Sequence, residues 1–490
     1  MAIEAAKNCS YPLRRGNYVA PLIDGGPAFR RIAEAALSAR QAVWVTVAFH
    51  HHDFELPGGR GSLFDFLDTL AKQGKDVRAL FWRMADQDPN GRIHFHGLDH
   101  QQEFLRENRF SFKARWDVLP NGLCHHQKSW IADPNSDRPI AFVGGINLEG
   151  VSVKERGHDH DVAGIHDVYL EVQGPSASDV VHNFIQRWNG ASERNEKHGA
   201  WPDNDLANDL VHPSTLAGEA GETPVQISRT IRKQQEYHPV AAIGVEAHPI
   251  AGGEKSTLET YLNAISGAQS TIYIEDQVLA SNQVLAALIE AAERGIEIVA
   301  LAPIPANDAY RSGREAAPDA EIFKQICQLA DYPNFTLAGI CKSKGNGVYD
   351  DIYVHAKIML IDDVWTTIGS TNIADRSFHG DTELNASFWC EETTKSLRVD
   401  LLAEHLGVDT GEMSDVEALA LYKRVAAENA ALRSAGSDLP CLAFELDPRT
   451  YGIDALTGSG AVSAEIIYPA PNDSGERMFD KQKSDKNRNR

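Results

Sequence analysis

Two short stretches of the chain repeat the same reactive residue types at the same spacing. "HQKSWIAD" places His126, Lys128 and Asp133, and "HAKIMLID" places His355, Lys357 and Asp362. Both read as strands, and a strand alternates its faces. His355 and Lys357 therefore point one way, while Ala356, Ile358 and Leu360 point the other, into a core. Each stretch runs into a second strand and a small-residue turn that ends in asparagine. "AFVGGIN" leads to Gly145 and Asn147, and "TTIGSTN" leads to Ser370 and Asn372. One such motif is a weak signal. Two of them face to face would gather two imidazoles, two ammonium groups and two amides around one cavity.

That set suits a phosphodiester. One histidine attacks phosphorus while the other protonates the leaving alcohol. Lys128, Lys357, Asn147 and Asn372 hold the non-bridging oxygens, where negative charge sits as bonds rearrange. The lysines supply the positive charge, so neither a metal nor another cofactor is expected. The two histidines must start in opposite protonation states. A neutral attacking imidazole needs its second nitrogen held by a carboxylate or carbonyl. Asp167 in "GIHDVYLEV" and Glu383 in "DTELNASFW" are the candidates. Asp133 and Asp362 each fall seven residues after their histidine, an odd offset that turns them away from the pocket if the strand continues. Structural work at the strand end is expected of both.

The elements that must position these residues also come twice. "AFRRIAEAALSARQAVWVTVAF" reads as a helix feeding a strand at 43–49, and "SLFDFLDTLAKQGKDVRALFWR" as a helix, a stop at Gly74 and a strand. The order recurs in "TLETYLNAISGAQSTIYIEDQVL" and "QVLAALIEAAERGIEIVALAP", where Gly295 is the stop. The pattern predicts an α/β fold of two similar lobes from an internal duplication. Mixed sheets are flanked by helices, with the site at the lobe interface. The expected division is a lead-in over 1–24, lobes over 25–215 and 216–410, a helical extension over 411–470 and a disordered tail over 471–490.

Composition narrows the partners. The 490 residues carry a net charge of −22, whereas a nucleic-acid-binding surface leaves a basic excess. The six cysteines are scattered without a CxxC pair and read as reduced thiols. No run approaches the ~20 apolar residues of a membrane span, and the first residues lack an apolar signal core. The expectation is a soluble monomer, cytoplasmic or exported without a cleavable signal, with peripheral membrane contact.

At this point the residues resemble the phospholipase D superfamily, whose signature is a duplicated HxKxxxxD followed by a G-[GS]-x-N-like turn. The eukaryotic-type enzymes are the more similar group. "HDVYLEVQGPSASDVVHNFIQRWN" (166–189), "IYIEDQVL" (272–279) and "SLRVDLLAEHLG" (396–407) resemble further segments of theirs, so the resemblance spans roughly 25–410. It implies a covalent phosphohistidine intermediate, then hydrolysis or transfer to a small alcohol, on a phospholipid at a membrane surface. By position His126 matches the nucleophile and His355 the acid and then the base. Lys128, Lys357, Asn147 and Asn372 match the phosphate-binding residues, and Asp167 and Glu383 match the acids that orient the histidines. Two positions depart from the pattern: Asn147 where the eukaryotic enzymes often have Asp, and Asp276 where "IYIENQ" has Asn.

Rival readings share most of these residues. They are a nuclease or other phosphodiesterase of the same superfamily, a cardiolipin-synthase-like transferase, a delivered lipase toxin and an inactive binding protein. Other histidine clusters invite a metal. "HFHGLDH" (94–100) and "GHDHD" (157–161) could bind zinc, yet no second ligand set stands at a plausible place, and exposed loop histidines are expected. "FHHHDF" (49–54) follows a strand and could reach the pocket mouth, and "NDAYRSGREAAPDAEIF" (307–323) is a candidate lid.

Overall fold

The computed structural model describes residues 3–83, 95, 99–119, 123–158, 164–192, 206–233 and 237–453. The first half runs β1 (Arg14–Ile23), α1 (Gly25–Ser38), β2 (Ala42–Val47), α2 (Leu63–Lys72), β3 (Asp76–Arg83), α3 (Asp99–Asn108), β4 (Lys113–Val118), β5 (Ser129–Ala132), β6 (Ile140–Gly144), β7 (Ile165–His166), β8 (Val168–Gln173) and α4 (Ala177–Gly190). The second runs β9 (Thr223–Ile231), β10 (Glu254–Lys255), α5 (Ser256–Gly267), β11 (Thr271–Asp276), β12 (Leu279–Ala280), α6 (Asn282–Glu293), β13 (Glu297–Leu301), α7 (Asp308–Ala316), α8 (Glu321–Leu329), β14 (Phe335–Gly345), β15 (Val348–Val354), β16 (Lys357–Ile361), β17 (Trp365–Gly369), β18 (Ile373–Ala374), α9 (Asp375–His379), β19 (Glu383–Trp389), α10 (Glu391–Leu406), α11 (Asp415–Ser434) and β20 (Ala443–Leu446).

The pairings make the duplication explicit. The first sheet is ordered β4-β3-β2-β5-β6-β8-β1, with β4, β3 and β2 parallel and the rest antiparallel. The second is ordered β14-β13-β11-β16-β17-β19-β9 with the same senses. The parallel strands alternate with helices because a parallel pair needs a long crossover, and α2 and α6 supply it. Glycine ends both crossovers: Gly74 and Gly295 take φ of +89° and +84°, where a side chain would be strained.

Three hydrophobic cores follow from this layering. One lies between the sheets and under α4, α10 and α11, built from residues such as Trp44, Leu170, Ile227, Ala356, Ile358, Leu384, Phe184, Leu401 and Tyr422. The outer faces are covered separately, by α1 and α2 on one sheet and by α5, α6 and α8 on the other. β16 is buried on both faces, since Ile358 and Leu360 join the central core while Met359 and Ile361 join the outer one.

The termini depart from the expected division. The lead-in is structural: Ile3, Ala6 and Tyr11 are buried, and β1 pairs with β8 along Tyr18–Ile23 and with β9 at Arg14 and Asn17, joining the two sheets. The first sheet therefore needs residues before 25. The C-terminal extension is not purely helical, because β20 adds antiparallel to β14 after α11. The expected tail over 471–490 lies outside the described residues. The candidate lid over 307–323 holds α7 and the first turn of α8, and Arg314 donates to the carbonyls of Pro448, Arg449 and Tyr451.

Asp133 and Asp362 do the same structural work in the two sheets. Each sits at left-handed φ, +50° and +52°. The Asp133 carboxylate accepts the backbone N–H groups of Arg40, Gln41 and Ala42 at 2.7–3.2 Å. Asp362 accepts those of Gln269, Ser270 and Thr271, each at 2.8 Å. Both acids thus cap the turn that launches the central parallel strand, β2 or β11. Asp133→Ala and Asp362→Ala are each expected to lower the unfolding free energy by about 2 kcal/mol, since several charge-assisted bonds are lost at once. Urea denaturation against the exposed control Glu428→Ala checks this, and an equal effect in the control would count against the capping role.

Candidate active site

The histidines are positioned by short parallel bridges between the halves. The stretch before β5 runs beside the start of β19: His126 N–H donates to the Thr382 carbonyl at 3.0 Å, and Thr382 N–H donates to the Cys124 carbonyl at 3.0 Å. The end of β15 runs beside β7 in the same way, with Tyr353 N–H on the Gly164 carbonyl at 3.0 Å and His355 N–H on the His166 carbonyl at 2.8 Å. Each bridge sets a histidine of one half next to an acid of the other. His126 Nδ1 meets the Glu383 carboxylate at 2.9 and 3.0 Å, and His355 Nδ1 meets Asp167 Oδ2 at 2.5 Å. The pairs are exchanged between halves, which spacing alone did not reveal.

The remaining motif residues converge on the same place. Lys128 Nζ donates to the His126 carbonyl at 3.0 Å and lies 5.5 Å from the Phe49 ring centre. Lys357 Nζ donates to the His355 carbonyl and lies 3.4 Å from Gln277 Oε1. Ser370 Oγ donates to Glu383 Oε2 at 2.6 Å. Gly145 is required by close approach: a Cβ there would stand 2.5 Å from Asp167 Oδ1 and 3.0 Å from Lys357 Cδ. Asn147 Nδ2 donates to Glu149 Oε1 at 3.4 Å. Asn372 Oδ1 is buried with no hydrogen-bond partner among the described residues. None of His126, Lys128, Asn147, Asp167, His355, Lys357, Asn372 and Glu383 is more than 4% exposed. Such a dense buried set of charges is held by pairing, because an isolated ion there would cost several kcal/mol.

Several groups at the site were missed or only touched in the sequence. Gln277 bridges Lys357 to the Tyr353 hydroxyl, its Nε2 donating at 3.1 Å. Phe49, from the histidine-rich stretch after β2, lies edge-on to the His126 ring at 6.0 Å. Asp276 stands opposite Lys357 in the β11–β16 register and accepts the N–H groups of Val278 and Ile373 at 2.9 and 3.0 Å. The sequence marked it only as a departure from the family pattern; superposing the two repeats also shows it as an acid where Val47 fills the equivalent last place of β2. Of the metal candidates, the 94–100 stretch lies largely outside the described residues. His158 is described and is fully buried, contrary to the expectation of an exposed loop histidine.

Comparison with known proteins places the chain in a family. A family model described as phospholipase D matches residues 153–292, and one described as the PLD-like domain of cardiolipin synthase matches 261–403. The first motif, at 126–133, lies before both. Among curated relatives, phospholipase D alpha 2 of Oryza sativa subsp. japonica is 24% identical over 75% of this chain and 61% of its own length. Phospholipase D A of Dictyostelium discoideum is 24% identical over 77% of this chain and 33% of its own. Cardiolipin synthase 1 of Staphylococcus aureus (strain MRSA252) is 22% identical over 79% and 67%. The chain thus spans less than two thirds of the length of the first two relatives. A solved phosphatidylserine synthase from Haemophilus influenzae Rd KW20 shares the fold, with a TM-score of 0.51 at 10% identity over 88% of this chain and 97% of that one.

Asp276 makes the site's electrostatics testable. Burial pushes its carboxyl well above the ordinary carboxylate range, against the opposing pull of Lys357 and the two N–H groups. An acid raised in the fold ionises first in the unfolded chain, so rising pH favours unfolding from about pH 4 up to the folded pKa. The stability difference between wild type and Asp276→Asn is therefore expected to move in the variant's favour as pH rises from about 4 to 7. Urea midpoints at several pH values measure it, and a flat difference would show that Asp276 ionises normally.

Proposed function

Because the chain belongs to the phospholipase D superfamily, whose members are phosphodiesterases and phosphatidyltransferases, we propose that it cleaves the head-group phosphodiester of glycerophospholipids to phosphatidic acid and the head-group alcohol. His126 Nε2 attacks phosphorus while His355 Nε2 gives its proton to the departing alkoxide. The P–O bond breaks as the P–N bond forms, leaving phosphatidyl-His126. His355, now neutral, takes a proton from water or a small alcohol, whose oxygen displaces His126 and completes hydrolysis or transfer. Lys128, Lys357, Asn147 and Asn372 hold the phosphoryl oxygens through both steps, so the sequence of steps is written without a metal.

The observation that carries this reading is the exchanged pair of histidine–carboxylate contacts. Glu383 holds Nδ1 of His126, which makes Nε2 the attacking nitrogen. His355 is held the same way, with Nδ1 2.5 Å from Asp167 Oδ2. The assignment of His126 as nucleophile also follows the family pattern. No helix among the described residues is long and apolar enough to cross a membrane. We propose further that the protein acts as a monomer that meets lipid at a bilayer surface.

A second reading is transfer to a lipid alcohol, favoured by the match to the cardiolipin-synthase domain and to the staphylococcal enzymes. Both are tested with purified protein on vesicles of phosphatidylcholine, phosphatidylethanolamine and phosphatidylglycerol containing a little ethanol, read by lipid mass spectrometry. Phosphatidic acid and phosphatidylethanol are expected, and His126→Ala should reduce both by at least about 10³-fold. Cardiolipin as the main product would favour the second reading. Cleavage of DNA or RNA with no lipid product would replace both by a nuclease.

The orienting acid gives a separate test. Glu383→Gln keeps a hydrogen-bond acceptor but removes the charge that supports the His126 imidazole. It is expected to lower kcat about 10²–10⁴-fold with little change in KM. A change confined to KM would mean that Glu383 serves binding instead.

A further inference from the structure

Behind Asp167, on the far side of β7 from the reacting cavity, lies a second cluster that the phosphodiester chemistry does not use. Asp24, His158, His166 and Glu404 each offer one ligand atom, and these atoms all lie within 4.8 Å of one another. They come from four places in the chain: the turn before α1, the loop before β7, β7 itself and α10. The Asp24, His158 and His166 side chains are 0% exposed and that of Glu404 is 2% exposed. His158 Nε2 lies 3.6 Å from Asp24 Oδ1 and 3.7 Å from Glu404 Oε1. Two ligands of a tetrahedral ion with bonds of about 2.0–2.1 Å stand roughly 3.3–3.4 Å apart, so these two edges would close by a few tenths of an ångström around a small ion. His166 Nδ1 lies 2.9 Å from Asp24 Oδ1, and this edge would open by a few tenths of an ångström.

We propose that this cluster is a structural site for a divalent transition metal, zinc foremost, bound by Asp24, His158, His166 and Glu404. Two imidazoles and two carboxylates form a neutral complex with a dication, and that ligand chemistry is zinc's rather than magnesium's or calcium's. Three further observations support a ligand there. Asp24 Oδ2 is buried with no hydrogen-bond partner among the described residues. His166 Nε2 faces Glu275 Oε2 at 3.0 Å, the outer carboxylate that metal-bound histidines ordinarily engage with their second nitrogen. The cluster gathers the carboxylates of Asp24, Glu275 and Glu404, and among the described residues the arginine that reaches it, Arg156, is 40% exposed and touches Glu404 at 3.4 Å. Buried carboxylates gathered this closely demand a cation or protons.

The metal would act by position. Asp24 N–H donates to the Asp167 carbonyl at 2.8 Å, and the His166 carbonyl receives the His355 N–H. Fixing Asp24 and His166 therefore fixes the backbone on both sides of the acid that orients His355. The ion itself touches no reacting atom, and the site stands whatever the substrate proves to be.

The test is metal content of the full chain, equilibrated with zinc and then desalted, by mass spectrometry of the elements. About one zinc per chain is expected, with at least about a fivefold loss in His158→Ala and in Glu404→Gln. Cobalt(II) in place of zinc should give visible d–d bands that both variants lose. A folded wild type that holds no stoichiometric metal overturns the proposal, as does full zinc content in His158→Ala, which would place the ion elsewhere. Should His158→Ala fail to fold, the wild type still decides. A thermal midpoint that falls on stripping with dipicolinate and returns with one equivalent of zinc supports the site, and one that neither treatment moves overturns it.

Discussion

Each histidine of the site leans on a carboxylate supplied by the other half of the chain. His126 rests on Glu383, and His355 rests on Asp167. Burying an imidazole and a carboxylate costs several kcal/mol per charge unless the partner is already in place. Neither half can therefore hold its own histidine in working geometry. The interface is part of the site, not a seam beside it. The parallel bridges Tyr353↔Ile165 and His125↔Thr382 are the backbone expression of the same exchange.

The rest of the fold can be understood as what keeps that exchange in register. A one-residue slip in β5 or β16 would turn its lysine to the other face and its histidine out of the bridge. Asp133 and Asp362 oppose such a slip by tying the end of β5 or the turn after β16 to the backbone that enters β2 or β11. Gly145 and Ser370 then adapt the two turns to different neighbours. The first leaves room for Asp167 and Lys357, and the second donates to Glu383. The duplication built two equal frames, and single residues make them unequal. Asp276 beside Lys357, where the other frame has Val47, is the plainest case. Unequal frames are what a reaction with one attacking and one proton-donating histidine requires.

Much of this was legible in the residues. The paired motifs, the α/β alternation and structural work by Asp133 and Asp362 at the strand end follow from spacing and residue type, while Asp167 and Glu383 were candidates there whose role came with the family resemblance. What was not legible is what depends on long-range pairing. Strand period says that His126 and Lys128 share a face, but nothing local says which acid from which half will meet them. The same limit hid β1, read as part of a lead-in, since its role comes from partners at 168–173 and 223–225. It also hid β20, whose partner β14 is distant in sequence. His158 is the sharpest instance. A histidine among Gly, His and Asp reads as surface, and only the fold brings α10 and the turn before α1 against it.

The helix α4 shows how far the site's support reaches. Its residues Ala177 to Trp188 are all buried, although His182, Asn183, Gln186 and Arg187 are polar. Their polarity is used. Gln127, next to the first histidine, donates to the Glu383 carbonyl at 3.0 Å and accepts from Asn183 at 2.8 Å. Asn183 and Gln186 in turn accept from Arg229, which also binds Glu254, Ser10 and the Tyr11 hydroxyl. A continuous buried polar relay therefore runs from the first residues of the chain, through β9 and α4, to the carbonyl of the acid that holds His126. Inside a low-dielectric interior such bonds are strong when complete and costly when broken, so the network resists any motion of one member alone. Rigidity at Glu383 is thus a property of the whole assembled core, to which both sheets and the N-terminal segment contribute.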